Sequence, residues 1–343
     1  MKQFLLFCGT LATTCMCTFA QNALIWSKDS QASLPHYYQN LPTLNANEDS
    51  IGVIGKKPTP QGERLVVVNY GYSGNVQSTK TFGNDSIHNG TIADYEFSAN
   101  GFLYIAYREK LGFYKSKIVL HKYDMDGNPV WIRQIAETAD TSYSPVSLGL
   151  VNDSTLFMTA LKEYNYPVQG SDVISTVAQG FVYAYHTDGT PLWRRGLNGT
   201  TELHTFLYDI VPHNGSAILF GNNGSNPDPF AYEYCMVKVG TDQSVTVAND
   251  IDIANGIGRV QITPDNNLLI AAGANYRVTK LQPDGTPIWT KLIPTNLPPA
   301  TGYDEIKYMI QDAAGNIYVT GRHYGPGDGT PTFSNADMLT VKY

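Results

Sequence analysis

The sequence predicts an all-β chain built from one recurring four-stranded module, and three observations predict it. First, an Asp-Gly turn leading into a Trp-bearing segment occurs at residues 123–131 (Tyr-Asp-Met-Asp-Gly-Asn-Pro-Val-Trp), 185–193 (Tyr-His-Thr-Asp-Gly-Thr-Pro-Leu-Trp) and 281–289 (Leu-Gln-Pro-Asp-Gly-Thr-Pro-Ile-Trp). Asp-Gly suits the φ > 0 positions of a tight hairpin, so each copy reads as two strands joined by a turn. Second, another signature precedes these hairpins: Gly-Asn-Ile-Tyr-Val-Thr-Gly at 315–321 is matched by Gly-Ser-Ala-Ile-Leu-Phe-Gly at 215–221. Looser copies lie at 101–105, 154–158 and 267–270, and the faintest at 50–55. Third, charged residues are only 15% of the 343, and the 23 Tyr equal Lys and Arg combined. Such a composition, punctuated by Gly and Asn, suits strands better than helices.

In chain order, short apolar runs at 93–100, 207–214, 260–266 and 306–312 each end in a polar turn and supply a first strand. The Gly-led segments are second strands. A variable loop follows, then a third strand, the Asp-Gly turn and a fourth strand. Third strands end at Tyr70, Tyr123, Tyr185, Val239, Leu281 and Tyr343, which lie 42 to 62 residues apart. A module of that size, repeated with loop insertions, marks a repeat architecture. Four strands per unit arranged radially make a β-propeller. Stacked sandwiches and a β-helix are the alternatives, but a β-helix needs shorter and more regular rungs. Six second strands and six third strands give a single propeller of six four-stranded blades, rather than seven, over residues 21–343.

The ends of the chain bear on closure. The last unit finishes at 338–343 with no Asp-Gly turn and no Trp strand after it. Residues 23–27 (Ala-Leu-Ile-Trp-Ser) resemble the outer strands at 129–132 and 191–193. The expectation is that this N-terminal strand pairs with the C-terminal blade as its outermost strand and covers an otherwise open edge. Residues 1–20 read as a signal peptide: a short basic start, the apolar Phe4, Leu5, Leu6 and Phe7, and small residues at Thr18 and Ala20 ahead of Gln21. Export to the periplasm or the extracellular space follows. Cys8, Cys15 and Cys17 leave with the leader, so Cys235 alone stays and no internal disulfide forms. Nothing after the leader is apolar for long enough to span a bilayer. The net charge of -7 argues against a nucleic-acid partner.

Residues 312–321 (Asp-Ala-Ala-Gly-Asn-Ile-Tyr-Val-Thr-Gly), followed by 339–343 (Leu-Thr-Val-Lys-Tyr), resemble the bacterial SBBP (β-propeller) repeat. Its pattern is an Asp-Gly-Asn strand ending in Thr-Gly, a strand ending in Lys-Tyr, then a Gly turn and Trp. Lys122 and Tyr123 with Gly127 and Trp131 fit the second half. The resemblance implies a secreted or cell-surface propeller with no assigned reaction. The family name implies seven blades, whereas six are counted here.

Function is sought on the connections. The first-to-second and third-to-fourth turns are tight, and lie on one face of a propeller. The other connections, at 107–117, 162–180, 222–234 and 322–337, together with 138–145 between blades, are long and aromatic. Long loops on a rigid scaffold are where binding sits. The candidate ligand contacts are Tyr114, Tyr143, Tyr164, Tyr166, Tyr232, Tyr303, Arg322, His323 and Tyr324. Tyr offers an apolar face and a hydroxyl, which suit a glycan or a peptide; the bland account is that each merely packs a loop. The expected partners are a glycan, a peptide or an envelope protein, and the oligomeric state is left open.

No catalytic motif is complete. The seven His show no zinc-ligand spacing, and neither His-Glu-x-x-His nor Gly-x-Ser-x-Gly occurs. Residues 124–128 (Asp-Met-Asp-Gly-Asn) alternate oxygen ligands like the start of a calcium loop, but the sister turns at Asp188 and Asp284 lack the first Asp. A plain hairpin turn is the simpler account, so no cofactor is expected. Asp94, Asp209, Asp304 and Glu305 precede or open inner strands and are placed to ring a central channel, with salt bridges or turn caps as the bland account. Trp131, Trp193 and Trp289 are read as interblade packing. The favoured expectation is a secreted binding or scaffold module; its rival is a glycan hydrolase or lyase using carboxylates at the channel mouth. A purely structural envelope component is a third reading.

Overall fold

The computed structural model describes residues 38–41, 50–59, 62–71, 75–82, 90–112, 115–135, 141–167, 174–197, 205–223, 233–248, 257–272, 277–292, 305–311, 315–324 and 336–343. The expected leader and the strand at 23–27 lie outside these residues. The chain divides into two compact units, Met1–Asn89 with Tyr123–Val130, and Gly90–Lys122 with Trp131–Tyr343. All regular elements among the described residues are strands.

The first unit holds an antiparallel sheet in the order β1 (Tyr38–Leu41), β2 (Ser50–Thr59), β3 (Gly62–Gly71) and β4 (Val76–Phe82). Leu65, Val66, Val67, Val68 and Phe82 are buried, and the Phe82 ring meets Tyr123 edge-on at 5.7 Å. The Asp-Gly turn at Gly127 belongs to this unit. Its φ of +85° wants glycine, and a Cβ there would lie 2.6 Å from the Thr81 carbonyl oxygen.

In the second unit the strands fall into consecutive groups. The first two are β5 (Gly90–Phe97), β6 (Leu103–Lys110), β7 (Ser116–Tyr123), β8 (Pro129–Ile135), and β9 (Thr141–Asn152), β10 (Thr155–Pro167), β11 (Ile174–His186), β12 (Pro191–Gly196). They are followed by β13 (Thr205–His213), β14 (Ser216–Asn223), β15 (Glu233–Gly240), β16 (Val245–Ala248), and β17 (Ile257–Ile262), β18 (Leu268–Ala272), β19 (Arg277–Leu281), β20 (Pro287–Lys291). The last group is β21 (Glu305–Gln311), β22 (Ile317–Tyr324) and β23 (Ala336–Lys342). Neighbours within each group pair, antiparallel between β5 and β6 and throughout β9–β12, β13–β16, β17–β20 and β21–β23. This strand order is the one the repeat signatures predict.

The middle strands are buried on both faces, and period two decides which neighbour each residue meets. On β14, Ala217 and Leu219 join a core cluster with Phe157 and Val182, while Ile218 and Phe220 join another with Leu268 and Ile270. On β18, Leu268 and Ile270 face that second cluster, while Leu269 and Ala271 pack with Ile306 and Val319. Sheets therefore stack face to face in sequence order. Each buried Leu, Ile or Phe contributes about 1.5–3 kcal/mol by leaving water.

First strands lie side by side, with β5 against β9, β9 against β13, β13 against β17, and β17 against β21. Each carries a β-bulge whose extra residue is Ala93, Val146, Tyr208, Gly258 or Lys307. A bulge re-aims the residue that follows it. Those residues are Asp94, Ser147, Asp209, Arg259 and Tyr308.

Two features depart from the sequence reading. Groups expected to be separate share one eight-stranded sheet, because β7 and β9 pair in parallel at Ser116 and Ser142. The Ser116 hydroxyl is 2.6 Å from that of Ser142 and donates to the Tyr143 carbonyl at 2.7 Å, while Arg108 donates to both hydroxyls. Among the described residues, parts of the expected long loops are strand. β10 and β11 run 13 residues each and stay paired out to Pro167 and Ile174. Residues 141–145 belong to β9, and Arg322, His323 and Tyr324 to β22. β-Branched and aromatic residues such as Tyr164, Tyr166, Ile174, Thr176 and Val177 carry the ladder past the core.

Candidate functional site

The strongest convergence of polar chemistry is the inner-strand seam. Asp94 accepts through Oδ1 from the Tyr95 amide at 2.9 Å and through Oδ2 from the Leu148 amide at 2.8 Å. Asp209 accepts through Oδ1 from the Ile210 amide at 2.9 Å and through Oδ2 from the Val260 amide at 3.0 Å. Each aspartate thus caps an N–H of the next inner strand, which turns the bulge into a joint between sheets. The Ser147 hydroxyl oxygen lies between them, 2.7 Å from Asp94 Oδ2 and 3.1 Å from Asp209 Oδ1.

Burial pushes the Asp94 carboxyl up to about 6, while hydrogen bonds from Ser147 and Leu148 and the Arg259 charge pull the other way. Burial also raises Asp209, opposed first by Arg259 and then by amides. Glu96, two residues along β5 from Asp94, is half-buried and pushed up to about 8. Burial is the main cause, and the charges of Asp94 and Asp209 add to it. That direction favours the uncharged acid at neutral pH.

The outer strands form a second repeated contact. The Trp131 indole N–H donates to the Thr187 carbonyl at 3.1 Å, and Trp193 donates to the Thr241 carbonyl at 3.0 Å. Two residues on, Arg133 Nε donates to the Gly189 carbonyl and Arg195 Nη1 to the Gln243 carbonyl, both at 2.6 Å. β8 and β12 thereby each grip the hairpin turn of the next group of strands. Lys122 Nζ reaches the same Thr187 carbonyl at 2.8 Å and lies 3.9 Å from the Phe102 ring centroid; burial lowers its pKa. Gly189 has a φ of +88°, and a Cβ there would meet Trp131 Cδ2 at 2.8 Å.

The candidate contacts chosen from sequence fall in different places. Tyr143 is 1% exposed and belongs to the core with Leu148 and Phe181, so its ring packs rather than faces solvent. Lys162 Nζ lies 5.6 Å from its ring centroid. Tyr164 and Tyr166 sit on β10, in register with Val177 and Ser175. Arg322, His323 and Tyr324 sit on β22, in register with Met338, Asp337 and Ala336. Tyr114, Tyr232 and Tyr303 lie outside the described residues, as does Asp304; Glu305 opens β21. Sequence reasoning named Asp94 and Asp209 but missed Ser147, Glu96 and Arg259. The available signal was a polar residue at the same place in successive first strands.

The Asp124 carboxylate is taken up by its own turn. Oδ1 accepts from the Asp126 and Asn128 amides at 2.9 and 2.8 Å, and Oδ2 from Asn128 Nδ2 at 3.0 Å, which lowers its pKa. Among the described residues no group of three or more His, Cys, Asp or Glu is arranged to hold a metal. Cys235 is buried and its thiol is pushed up to about 11, which keeps it protonated and unreactive.

No family pattern matches the chain, and no curated protein does. Among solved structures it is similar to an ulvan lyase, a polysaccharide lyase, bound to a glucuronate–sulfated rhamnose chain. The identity is 13% and the TM-score 0.56, over 86% of this chain and 76% of that one. It is also similar to a Bacteroides caccae protein of unknown function, at 8% identity and TM-score 0.49, over 85% of this chain and 90% of that one. A subtype N11 neuraminidase-like protein aligns at 11% identity and TM-score 0.44, over 92% of this chain and 91% of that one. At such identities the likeness to the ulvan lyase speaks to fold alone, and the fold is propeller-like.

Proposed function

We propose that this chain is an exported β-propeller of six blades, related to the SBBP repeats, that serves as a binding or scaffold module for a glycan or peptide. Closure is part of the proposal. Among the described residues β23 pairs only with β22, so the last group has three strands where the others have four. The segment from Trp26 to Lys28 repeats the Trp-x-Arg/Lys spacing of Trp131 with Arg133, Trp193 with Arg195 and Trp289 with Lys291. Two of those pairs grip a following turn, and the leading segment has the residues to do the same.

The observation that carries the binding reading is a shared strand end. The paired extension of β10 and β11 brings Tyr164 and Tyr166 to the end opposite the tight turns, and β22 brings Arg322, His323 and Tyr324 to the equivalent end of its own sheet. Aromatic faces with hydroxyls and a cation are the chemistry of sugar recognition. The ulvan lyase of similar fold is bound to a glycan, which supports that ligand class. A net charge of -7 favours a neutral glycan over a sulfated one. A glycan-array screen of the exported chain tests this, paired with a Tyr164→Ala/Tyr166→Ala variant. Binding lost at least tenfold in an otherwise stable variant is expected; binding unchanged by the substitutions contradicts the site.

One observation favours a hydrolase or lyase instead: Glu96, held protonated on an inner strand, has the state a general acid needs. That reading requires reducing-sugar release that disappears in Glu96→Gln. Binding without release leaves the module reading standing.

A further inference from the structure

The Ser147 hydroxyl has one proton to donate, yet its oxygen lies within hydrogen-bonding distance of two carboxyls, at 2.7 and 3.1 Å. Both carboxyls already accept two backbone amides each, and every one of those amides belongs to an inner strand. With both acids ionised, two negative groups face one donor. With one proton added, an acid O–H donates to Ser147 Oγ and the Ser147 O–H donates to the remaining carboxylate, so both contacts become hydrogen bonds. The shorter contact, to Asp94, has the length of a hydroxyl donating to a charged carboxylate. The more buried partner, Asp209, is where a neutral acid costs least.

We propose that Asp94 and Asp209 hold a single proton between them through Ser147, and that this relay clasps β5, β9 and β13 together in a pH-dependent way. Releasing the proton to solvent removes one of the two relay hydrogen bonds and leaves like charges across one hydroxyl. The seam is then tight in mildly acidic medium and looser in alkaline medium. Other groups bear on it: Glu96 on β5 and Arg259 on β17, whose charge favours the ionised pair, while Tyr104, opposite Glu96 on β6, turns its hydroxyl to the Thr187 carbonyl. Thr159 and Phe220, opposite Ser147 and Asp209, do not titrate. The raised values of Asp94 and Asp209 agree in direction with a retained proton.

Glu96 contributes its own pH dependence, so the test uses a Glu96→Gln background. Unfolding of the full exported chain is followed by urea titration between pH 4 and 8, and the slope of stability against pH counts the protons. The expected result is a loss of stability equivalent to about one proton in Glu96→Gln over the lower part of this range, ending near pH 6. In Glu96→Gln/Asp209→Asn the slope falls to less than half, because the amide donates to Ser147 at every pH. An equal slope in the two variants overturns the proposal, as does no slope in Glu96→Gln. Should the double variant fail to fold, the amide nitrogen shifts of Leu148 and Val260 decide. In the parent chain they should titrate with one common midpoint, and separate or unmoved shifts overturn the relay.

Discussion

Raising the pH from 5 to 9 is expected to destabilise this protein by a few kcal/mol, and Glu96→Gln is expected to abolish most of that loss. Folding raises the Glu96 carboxyl from its ordinary 4.5 to about 8. A group raised on folding contributes stability that is fully present below its unfolded pKa and is lost as pH climbs through the folded one. The loss for Glu96 therefore runs from about pH 4.5 to about pH 8. At roughly 1.4 kcal/mol per unit the shift sets a ceiling near 5 kcal/mol, and half-burial brings the expectation down to a few. Asp94, raised to about 6, adds a loss that ends near pH 6. The exposed turn aspartates Asp124, Asp188, Asp242 and Asp284 are lowered by their own turns, so their contribution goes only in acid. Stability should peak between about pH 4 and 5. Guanidinium titrations at pH 5, 7 and 9 check this: parent and variant should agree at pH 5 and diverge at pH 9 in the variant's favour. Flat stability from pH 5 to 9 in the parent contradicts a half-buried Glu96 whose carboxyl is raised on folding.

Trp131→Ala is expected to cost about 3–5 kcal/mol, the range for removing a large buried aromatic. The ring is 9% exposed, packs beside Tyr104 at 6.0 Å between centroids, and sits over Gly189 too closely for any Cβ. Truncation empties that space and removes a donor from the Thr187 carbonyl, although Lys122 still reaches it. Trp193, which is half-buried, makes the same kind of hydrogen bond to Thr241, so Trp193→Ala should cost less. Chemical denaturation of both variants gives the ranking. A Trp131→Ala variant within about 1 kcal/mol of the parent would mean that the gripped turn adds little to the joint between sheets.

What the sequence made legible was local. The Asp-Gly turns at Gly127, Gly189 and Gly285 announce hairpins because positive φ has few tenants, and the observed angles are +85°, +88° and +92°. Continuous apolar runs such as 217–220 mark strands buried on both faces, and their repetition marks the module. The length of β10 and β11 was not legible, since Tyr, Val and Thr beyond the core read equally as aromatic loop or as paired strand until a partner is present. The parallel bridge at Ser116 and Ser142 is held by Arg108 donating to both hydroxyls within one sheet, which no spacing in the sequence encodes. The seam was half legible. Asp94 and Asp209 stood out as acids at inner strands, but the hydroxyl joining them is 53 residues from one and 62 from the other. Tyr143, read as part of a long aromatic connection at 138–145, lies on β9 and belongs to the core with Leu148 and Phe181.

Ring closure is tested most directly by deleting residues 21–28 and following thermal unfolding. If that segment supplies the fourth strand of the last sheet, the chain loses a few ladder hydrogen bonds at about 1 kcal/mol each. It also loses about 2–3 kcal/mol from exposing Trp26. Together these rival a typical total stability of about 5–15 kcal/mol. The prediction is a broad, non-cooperative transition; a truncated chain that melts cooperatively at the unchanged temperature contradicts a closed propeller.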